Sequence, residues 1–195
     1  RKGSMQLEIQ MHLLSDAIFG NGLSMPGGED ICVQTDSDGF PYLKGSTLKG
    51  IFREELINYL NWMQMPEKGI ADTVQILLGS AGLYEDNERK LVFSDLIMHP
   101  EVKKRILEEE VTAEEVQMIF TYFRTFTGLE NGTVKEGTLR TARCIKKNLN
   151  FYGICRCSEE DEELVKDVFS MIKRTGTMRS RGFGKVEMKV SELHV

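Results

Sequence analysis

The most distinctive chemistry in the chain lies in a glycine-rich segment near its C-terminal end. Five cations and three glycines fall within thirteen residues: Lys173, Arg174, Gly176, Arg179, Arg181, Gly182, Gly184 and Lys185. Guanidinium groups and exposed backbone amides bind phosphate, and glycine lets a ligand approach the backbone closely. A solvated turn whose cations lie at a helix C-terminus is the alternative interpretation. Because the chain is otherwise acidic, we favour a site for the backbone of RNA or DNA.

A second group of cations lies at the predicted start of a helix. Lys44, Lys49 and Arg53 are spaced along it, and Ser46 and Thr47 add hydroxyl groups. A cation at a helix N-terminus opposes the helix dipole, so this arrangement favours a counter-anion such as phosphate. The alternative is a solvated helix face, where lysine is common. Together the two basic groups predict one phosphate-binding groove.

Cysteine and histidine do not form a metal-binding pattern. Cys155 and Cys157 are too close for the usual zinc knuckle, and no second pair stands at ligand spacing. His12, His99 and His194 are scattered along the chain. We therefore expect reduced, buried thiols rather than a structural metal site.

Length and composition predict one globular domain. The chain has 195 residues, of which 41% are hydrophobic and 28% charged. Its net charge of -5 argues against a basic surface that coats nucleic acid, although a local basic groove is compatible with it. No apolar run approaches a membrane span and no signal sequence opens the chain, so we expect a cytoplasmic protein. Residues 1–4 are interpreted as a cloning remnant, and residues 5–195 as a single domain.

Hydrophobic periodicity predicts the elements that position these residues. The first predicted elements are a strand at Met5–Leu14, a loop at Ser15–Asp30, a strand at Ile31–Thr35 and extended chain at Phe40–Leu43. A helix follows, with apolar positions from Leu48 to Met63 and a cap at Ser46 or Thr47. The later elements are a strand at Lys90–Asp95, a helix from Thr112 through Arg124, a hairpin at Gly128–Arg143, a strand at Leu149–Cys155, a helix after Ser158 with a buried stripe to Ile172, and a strand at Lys185–Val190. This order predicts an α+β fold, a ferredoxin-like or RRM-like βαββαβ sandwich with insertions.

Two motifs resemble a known family. The segment PYLKGSTLKG at residues 41–50, followed by Ile51-Phe52-Arg53, is similar to the IPGSSLKG…R signature of the RAMP superfamily of CRISPR-associated proteins. The segment GTMRSRGFG at residues 176–184 resembles the C-terminal glycine-rich loop of that superfamily. Residues 91–95 and 131–140 are also similar, and all four stand in the family's order. Within the superfamily, the closest resemblance is to the repeated backbone subunit of type III effector complexes.

The resemblance implies an RRM-like domain that polymerises along a guide RNA in antiviral defence. Its partners on this view are guide RNA, complementary target RNA, other copies of itself and other CRISPR effector subunits. The residues expected to contact RNA are Lys44, Ser46, Thr47, Lys49, Arg53, Gly176, Arg179, Ser180, Arg181, Gly182 and Lys185. Residues Thr125–Ile145 would supply a thumb hairpin that wedges between guide and target bases.

The resemblance also implies a catalytic aspartate. Backbone subunits that cut target RNA carry one in the glycine-rich loop after the first strand, and Asp30 stands fifteen residues before Gly45. Its carboxylate would bind Mg²⁺ or another divalent cation, with Glu29 assisting, and help a ribose 2′-hydroxyl attack the adjacent phosphate. The alternative is that Asp30 only satisfies loop amides.

Three other functions stay open on the sequence. The first is a non-catalytic RNA-binding scaffold of the same kind of complex. The second is a guide-processing RNase of the same superfamily, which usually needs two such domains and a histidine where this chain has Phe19. The third is a small ferredoxin-like domain that binds a metabolite or a protein, which would leave both basic groups unexplained.

Overall fold

The computed structural model describes residues 3–20, 33–80, 87–127, 129–130, 133–134 and 139–193. Their elements, in chain order, are β1 (Ser4–Leu13), α1 (Gly45–Trp62), α2 (Glu67–Leu78), β2 (Val92–Phe93), α3 (Pro100–Leu107), α4 (Ala113–Phe120), β3 (Thr121–Phe126), β4 (Leu129–Glu130), β5 (Thr133–Val134), β6 (Arg140–Ile145), β7 (Asn150–Ser158), α5 (Glu162–Met171) and β8 (Val186–Glu192). Short 3₁₀ turns at Glu159–Asp161 and Arg179–Arg181 precede α5 and β8. None of the helices in these ranges combines the length and apolar character that crossing a membrane requires.

The main sheet has the strand order of a ferredoxin-like fold. Its order is β2-β7-β1-β8, and every neighbouring pair is antiparallel. Helix α1 lies between β1 and β2 in the sequence, and α5 lies between β7 and β8. The predicted βαββαβ sandwich is therefore confirmed, with α2 to α4 and the small strands as insertions.

One face of the main sheet packs against α1 and α5. Alternate residues of β1, from Leu7 to Leu13, are fully buried, while the residues between them are partly exposed. The buried stripes of the two helices meet at Phe52 and Phe169, whose ring centroids are 4.9 Å apart. The period-2 and period-3.6 patterns of the sequence thus describe this core well.

A second, smaller core joins the hairpin to the rest of the domain. Strands β3 and β6 pair from Thr121↔Ile145 to Phe126↔Arg140. The residues of this core come from three separate segments: Ile18, Phe126, Ala142, Cys144 and Phe183. The hairpin, the glycine-rich loop and the chain after β1 are consequently held together as one unit.

Asp16 reinforces this junction with hydrogen bonds from two directions. The Tyr122 hydroxyl donates to its carboxylate at 2.5 Å, and the backbone amide of Lys147 donates to the other oxygen at 2.8 Å. Burial and the hydrogen bond to Asp16 raise the pKa of Tyr122 to about 12. The tyrosine therefore stays protonated and keeps donating at neutral pH.

The start of α1 differs from the prediction. The N-cap is Lys44, which makes no side-chain cap, and Ser46 and Thr47 lie inside the first turn. The Gly45 amide instead donates to the Asp95 carboxylate at 2.7 Å, from fifty residues along the chain. The amides of this helix terminus are thus not all open to a ligand, because a tertiary contact satisfies one of them.

The helix predicted through Arg124 is shorter than expected. Thr112 does cap α4, in a capping box with Glu115, but the helix ends at Phe120. The next six residues, Thr121–Phe126, form β3 instead, since their β-branched and aromatic side chains suit a strand that can pair with β6. The strand predicted at Ile31–Thr35 is described only from Val33, and there it forms isolated bridges.

Candidate nucleic-acid interface

A cleft of about 390 Å³ lies between the first turns of α1 and the glycine-rich loop before β8. Its walls combine both basic motifs of the sequence with apolar and amide side chains: Phe19, Gly20, Gln34, Tyr42, Leu43, Lys44, Thr47, Gly50, Ile51, Glu54, Gly176, Thr177 and Arg179. Four of the residues expected to contact RNA therefore lie in one cleft, namely Lys44, Thr47, Gly176 and Arg179.

Backbone hydrogen bonds fix the glycine-rich loop against the chain that follows β1. The Thr177 amide donates to the Ile18 carbonyl at 3.0 Å, and the Gly184 amide donates to the Asp16 carbonyl at 2.8 Å. Gly176 has a φ of 76°, and a Cβ there would lie 2.5 Å from the Ile18 carbonyl oxygen. The loop adopts this close-packed path because that position is glycine.

Arg179 projects from a 3₁₀ turn toward α1. The Arg174 guanidinium donates to the Arg179 carbonyl at 2.8 Å and so holds the turn. Across the cleft, an Arg179 guanidinium nitrogen lies 3.8 Å from a Glu54 carboxylate oxygen, and the two side chains are 45% and 61% exposed. An ion pair this open to water is weak, so an arriving phosphate can replace the carboxylate.

Part of the cleft wall is aromatic and amide in character. The Gln34 side-chain amide donates to the Tyr42 hydroxyl at 2.9 Å, which orients the half-buried tyrosine ring. An aromatic ring in a basic groove suits stacking on a base of any sequence. Phe40 and Phe183, the other aromatic residues near the two basic motifs, are core residues at 1% and 4% exposure.

Lys49 and Arg53 do not line this cleft. The Arg53 guanidinium donates to the Gly79 carbonyl at the end of α2, at 3.0 Å. Burial lowers the pKa of Lys49, and the nearby charges of Lys90 and Arg53 lower it further. These three cations therefore form a separate cluster on another side of α1.

Arg181 lies at the base of the hairpin rather than in the cleft. Its guanidinium carbon is 5.9 Å from the centroid of the Phe126 ring, and that of Arg124 is 5.2 Å from the Phe183 ring. The sequence did not single out Arg124, because the prediction placed it in a helix. The remaining expected RNA contacts are exposed around the two motifs: Ser46, Ser180, Gly182 and Lys185.

Glu29 and the expected catalytic Asp30 lie outside the described residues. The segment that contains them joins Gly20 to Val33, and those two residues form an antiparallel bridge. Gly20 is part of the cleft wall, as is Gln34. Within the ranges that the structure describes, no group of three or more histidine, cysteine or carboxylate side chains is placed to hold a metal ion.

Comparisons with known proteins identify the family and the fold of this chain. The family model of the RAMP superfamily matches residues 10–187. A chain of a cryo-EM structure described as type III-B Cmr-beta bound to cognate target RNA is 13% identical, with a TM-score of 0.66 over 95% of this chain and 96% of that one. A chain of Cmr-beta in the apo state is 14% identical, with a TM-score of 0.68 over 95% and 97%. No curated protein sequence matches. The two structures show a shared fold, and the family match shows that this chain belongs to the RAMP superfamily.

Proposed function

We propose that this protein is a guide-RNA-binding subunit that forms the repeated backbone of a type III CRISPR effector complex. The observation that carries the proposal is the cleft, in which Lys44 and Arg179 come together from distant parts of a RAMP-superfamily chain. The similar structures are chains of Cmr-beta, one of them bound to target RNA. Guide RNA, target RNA and further CRISPR subunits, copies of this chain among them, are therefore the proposed partners.

The side chains of the cleft favour binding without sequence preference. Lys44, Arg179 and the Thr47 hydroxyl are donors for phosphate and ribose oxygens, and such contacts position a nucleic acid without reading its bases. Tyr42 adds stacking, which every base accepts. A subunit that must accept any guide sequence needs this kind of contact.

We expect the paired target RNA to be cut by a reaction that depends on Asp30. The carboxylates of Asp30 and Glu29 are oxygen ligands of the kind that Mg²⁺ prefers. A bound divalent cation supplies positive charge to the scissile phosphate. Support comes from the two ends of the segment that carries Asp30. Gly20 lines the cleft and bridges to Val33, and the next residue, Gln34, lines the cleft as well.

The binding half of the proposal is tested with Arg179→Ala combined with Arg181→Ala. Arg179 lines the cleft, and Arg181 is exposed in the same 3₁₀ turn although it lies outside the cleft. Loss of both cations should weaken binding of every guide sequence alike and lower the salt slope by up to about 2. The measurement is a titration of labelled RNAs of unrelated sequence at several salt concentrations. A loss confined to some sequences would contradict backbone binding.

The catalytic half is tested by cleavage of a labelled RNA complementary to the guide. The reconstituted complex with Mg²⁺ should cut it at regular intervals, and Asp30→Ala should abolish the cuts while guide binding and assembly stay intact. Uncut target with the native chain, despite normal guide binding, would make the subunit a scaffold. Failed assembly of the variant would make Asp30 a structural residue.

A further inference from the structure

Gly50 is a helical glycine in the wall of the cleft. It lies in the interior of α1 and is exposed. Outside its own helical turn, no described atom lies within 4 Å of the position that a Cβ would take. Glycine at an exposed position inside a helix is less stable than alanine. The chain thus keeps an unfavourable residue where its own described packing would accept a side chain.

Other glycines around the cleft have structural reasons of their own. A Cβ on Gly45 would lie 2.6 Å from the Phe93 carbonyl oxygen. Gly182 and Gly184 have φ angles of 86° and 72°, which other residues rarely adopt. Gly50 shows neither a close neighbour nor a positive φ.

The position of Gly50 in the cleft suggests why this residue is glycine. Thr47, Gly50 and Glu54 follow one another at about one-turn spacing on the wall that α1 contributes. Lys44 stands at the start of this stripe, and Arg179 reaches Glu54 near its other end. Gly50 therefore lies between two cations, at the point where a bound polyanion would pass over the helix.

We propose that Gly50 is a contact point at which the sugar–phosphate backbone of RNA lies directly against α1, between Lys44 and Arg179. A side chain here would hold the RNA away from the helix, whereas glycine permits close approach. The inference rests on the proposed RNA-binding function and adds to it the path that the RNA follows across α1. It also explains why α1 contains a glycine that lowers its stability, since residues that destabilise a fold locally are found at functional sites.

The test combines melting temperature and RNA affinity in Gly50→Ala and Gly50→Leu, measured on the full chain with a labelled single-stranded RNA. Gly50→Ala should melt about 2 °C higher. It should also bind RNA about 5-fold more weakly, and the larger side chain of Gly50→Leu should cost more than about 10-fold. Gly69→Ala is the control for RNA affinity, because Gly69 lies in α2 and does not line the cleft. It should leave RNA affinity unchanged.

The outcomes separate this inference from the proposed function. If Gly50→Ala and Gly50→Leu bind RNA like the native chain while Lys44→Ala combined with Arg179→Ala binds weakly, the cleft binds RNA but Gly50 is not a contact. If none of these variants weakens binding, the proposed function fails as well. A lower melting temperature for Gly50→Ala would show a structural role and overturn the inference. Unchanged RNA affinity with lost self-association would assign the position to a protein contact instead.

Discussion

The cleft and the open face of the main sheet are two surfaces that this fold offers to RNA, and their chemistry is different. In RRM domains, aromatic side chains on the open sheet face stack on bases. Here the strand register places mainly polar and charged side chains on that face: Gln6, Glu8, Gln10, His12, Asn150, Tyr152, Ile154, Arg156, Glu187, Lys189 and Ser191. Their positive and negative charges are close to balanced.

Tyr152 shows how little stacking surface the open face provides. Its ring meets His99 edge-on, with centroids 5.3 Å apart and an interplanar angle of 85°. The cleft, by contrast, has Tyr42 beside Lys44 and Arg179. The comparison teaches that an RRM-like sheet does not by itself locate the RNA, because function lies in the residues placed on the fold.

The largest expected effect is a loss of RNA affinity that distinguishes the cleft from the open sheet face. Lys44→Ala combined with Arg179→Ala should weaken RNA binding by roughly 100-fold, since each lost charged hydrogen bond costs about 10-fold. Arg156→Ala combined with Lys189→Ala removes the same charge from the open face and should change affinity by less than about 2-fold. Binding curves at one fixed salt concentration check both. Equal losses in the two double variants would show that only net charge matters.

The next effect concerns the packing that holds the cleft. Phe183→Leu should lower the free energy of unfolding by about 1.5 kcal/mol, because Phe183 fills the small core and meets Phe126 edge-on with centroids 5.6 Å apart. RNA affinity should fall too, although no cation is removed, since the glycine-rich loop loses its anchor. Urea unfolding and RNA titration measure the two losses. Reduced stability with native RNA affinity would mean that the loop does not depend on this core.

The sequence predicted the local parts of the fold and missed those that depend on distant partners. Residues 4–13 and the apolar stripe of α1 follow simple periods, so β1 and α1 lie close to their predicted bounds. The end of α4 was missed because Val116, Ile119, Phe120 and Phe123 continue a helical spacing. The residues after Phe120 form a strand instead, because they pair with β6. No local pattern indicates that Asp95 would cap α1.

The candidate site also has residues that the sequence predicted correctly and residues that it misplaced. Charge and glycine content identified Lys44 and Arg179, and the fold brings them into one cleft. Arg53 was expected there too, but helical geometry places it about a third of a turn around α1 from Thr47. Its guanidinium donates to the Gly79 carbonyl and not into the cleft. The same geometry would have found Glu54, seven residues after Thr47, on the cleft side. The position of each residue around the helix axis would therefore have separated Glu54 from Arg53, and charge and glycine content carry no information about that position.

Removing the cap of α1 should have a smaller effect than loss of packing at Phe183. Asp95→Ala should lower the free energy of unfolding by about 1 kcal/mol, because the Gly45 amide loses its acceptor. Asp95→Asn keeps an acceptor oxygen and should lose less. Urea unfolding of the two variants provides the comparison. Equal losses would assign the stabilisation to the charge of Asp95 rather than to its hydrogen bond.

The smallest expected effect is a gain in affinity. Glu54→Gln removes the carboxylate that pairs with Arg179 across the cleft, so phosphate no longer has to displace it, and RNA affinity should rise by about 2-fold. Glu8→Gln makes the same change in net charge on the open sheet face and should have no measurable effect at physiological salt, where distant charges are screened. Titrations of both variants at low and physiological salt would show whether the gain is local. An equal gain in both variants at physiological salt would mean that the ion pair with Arg179 does not restrain RNA binding.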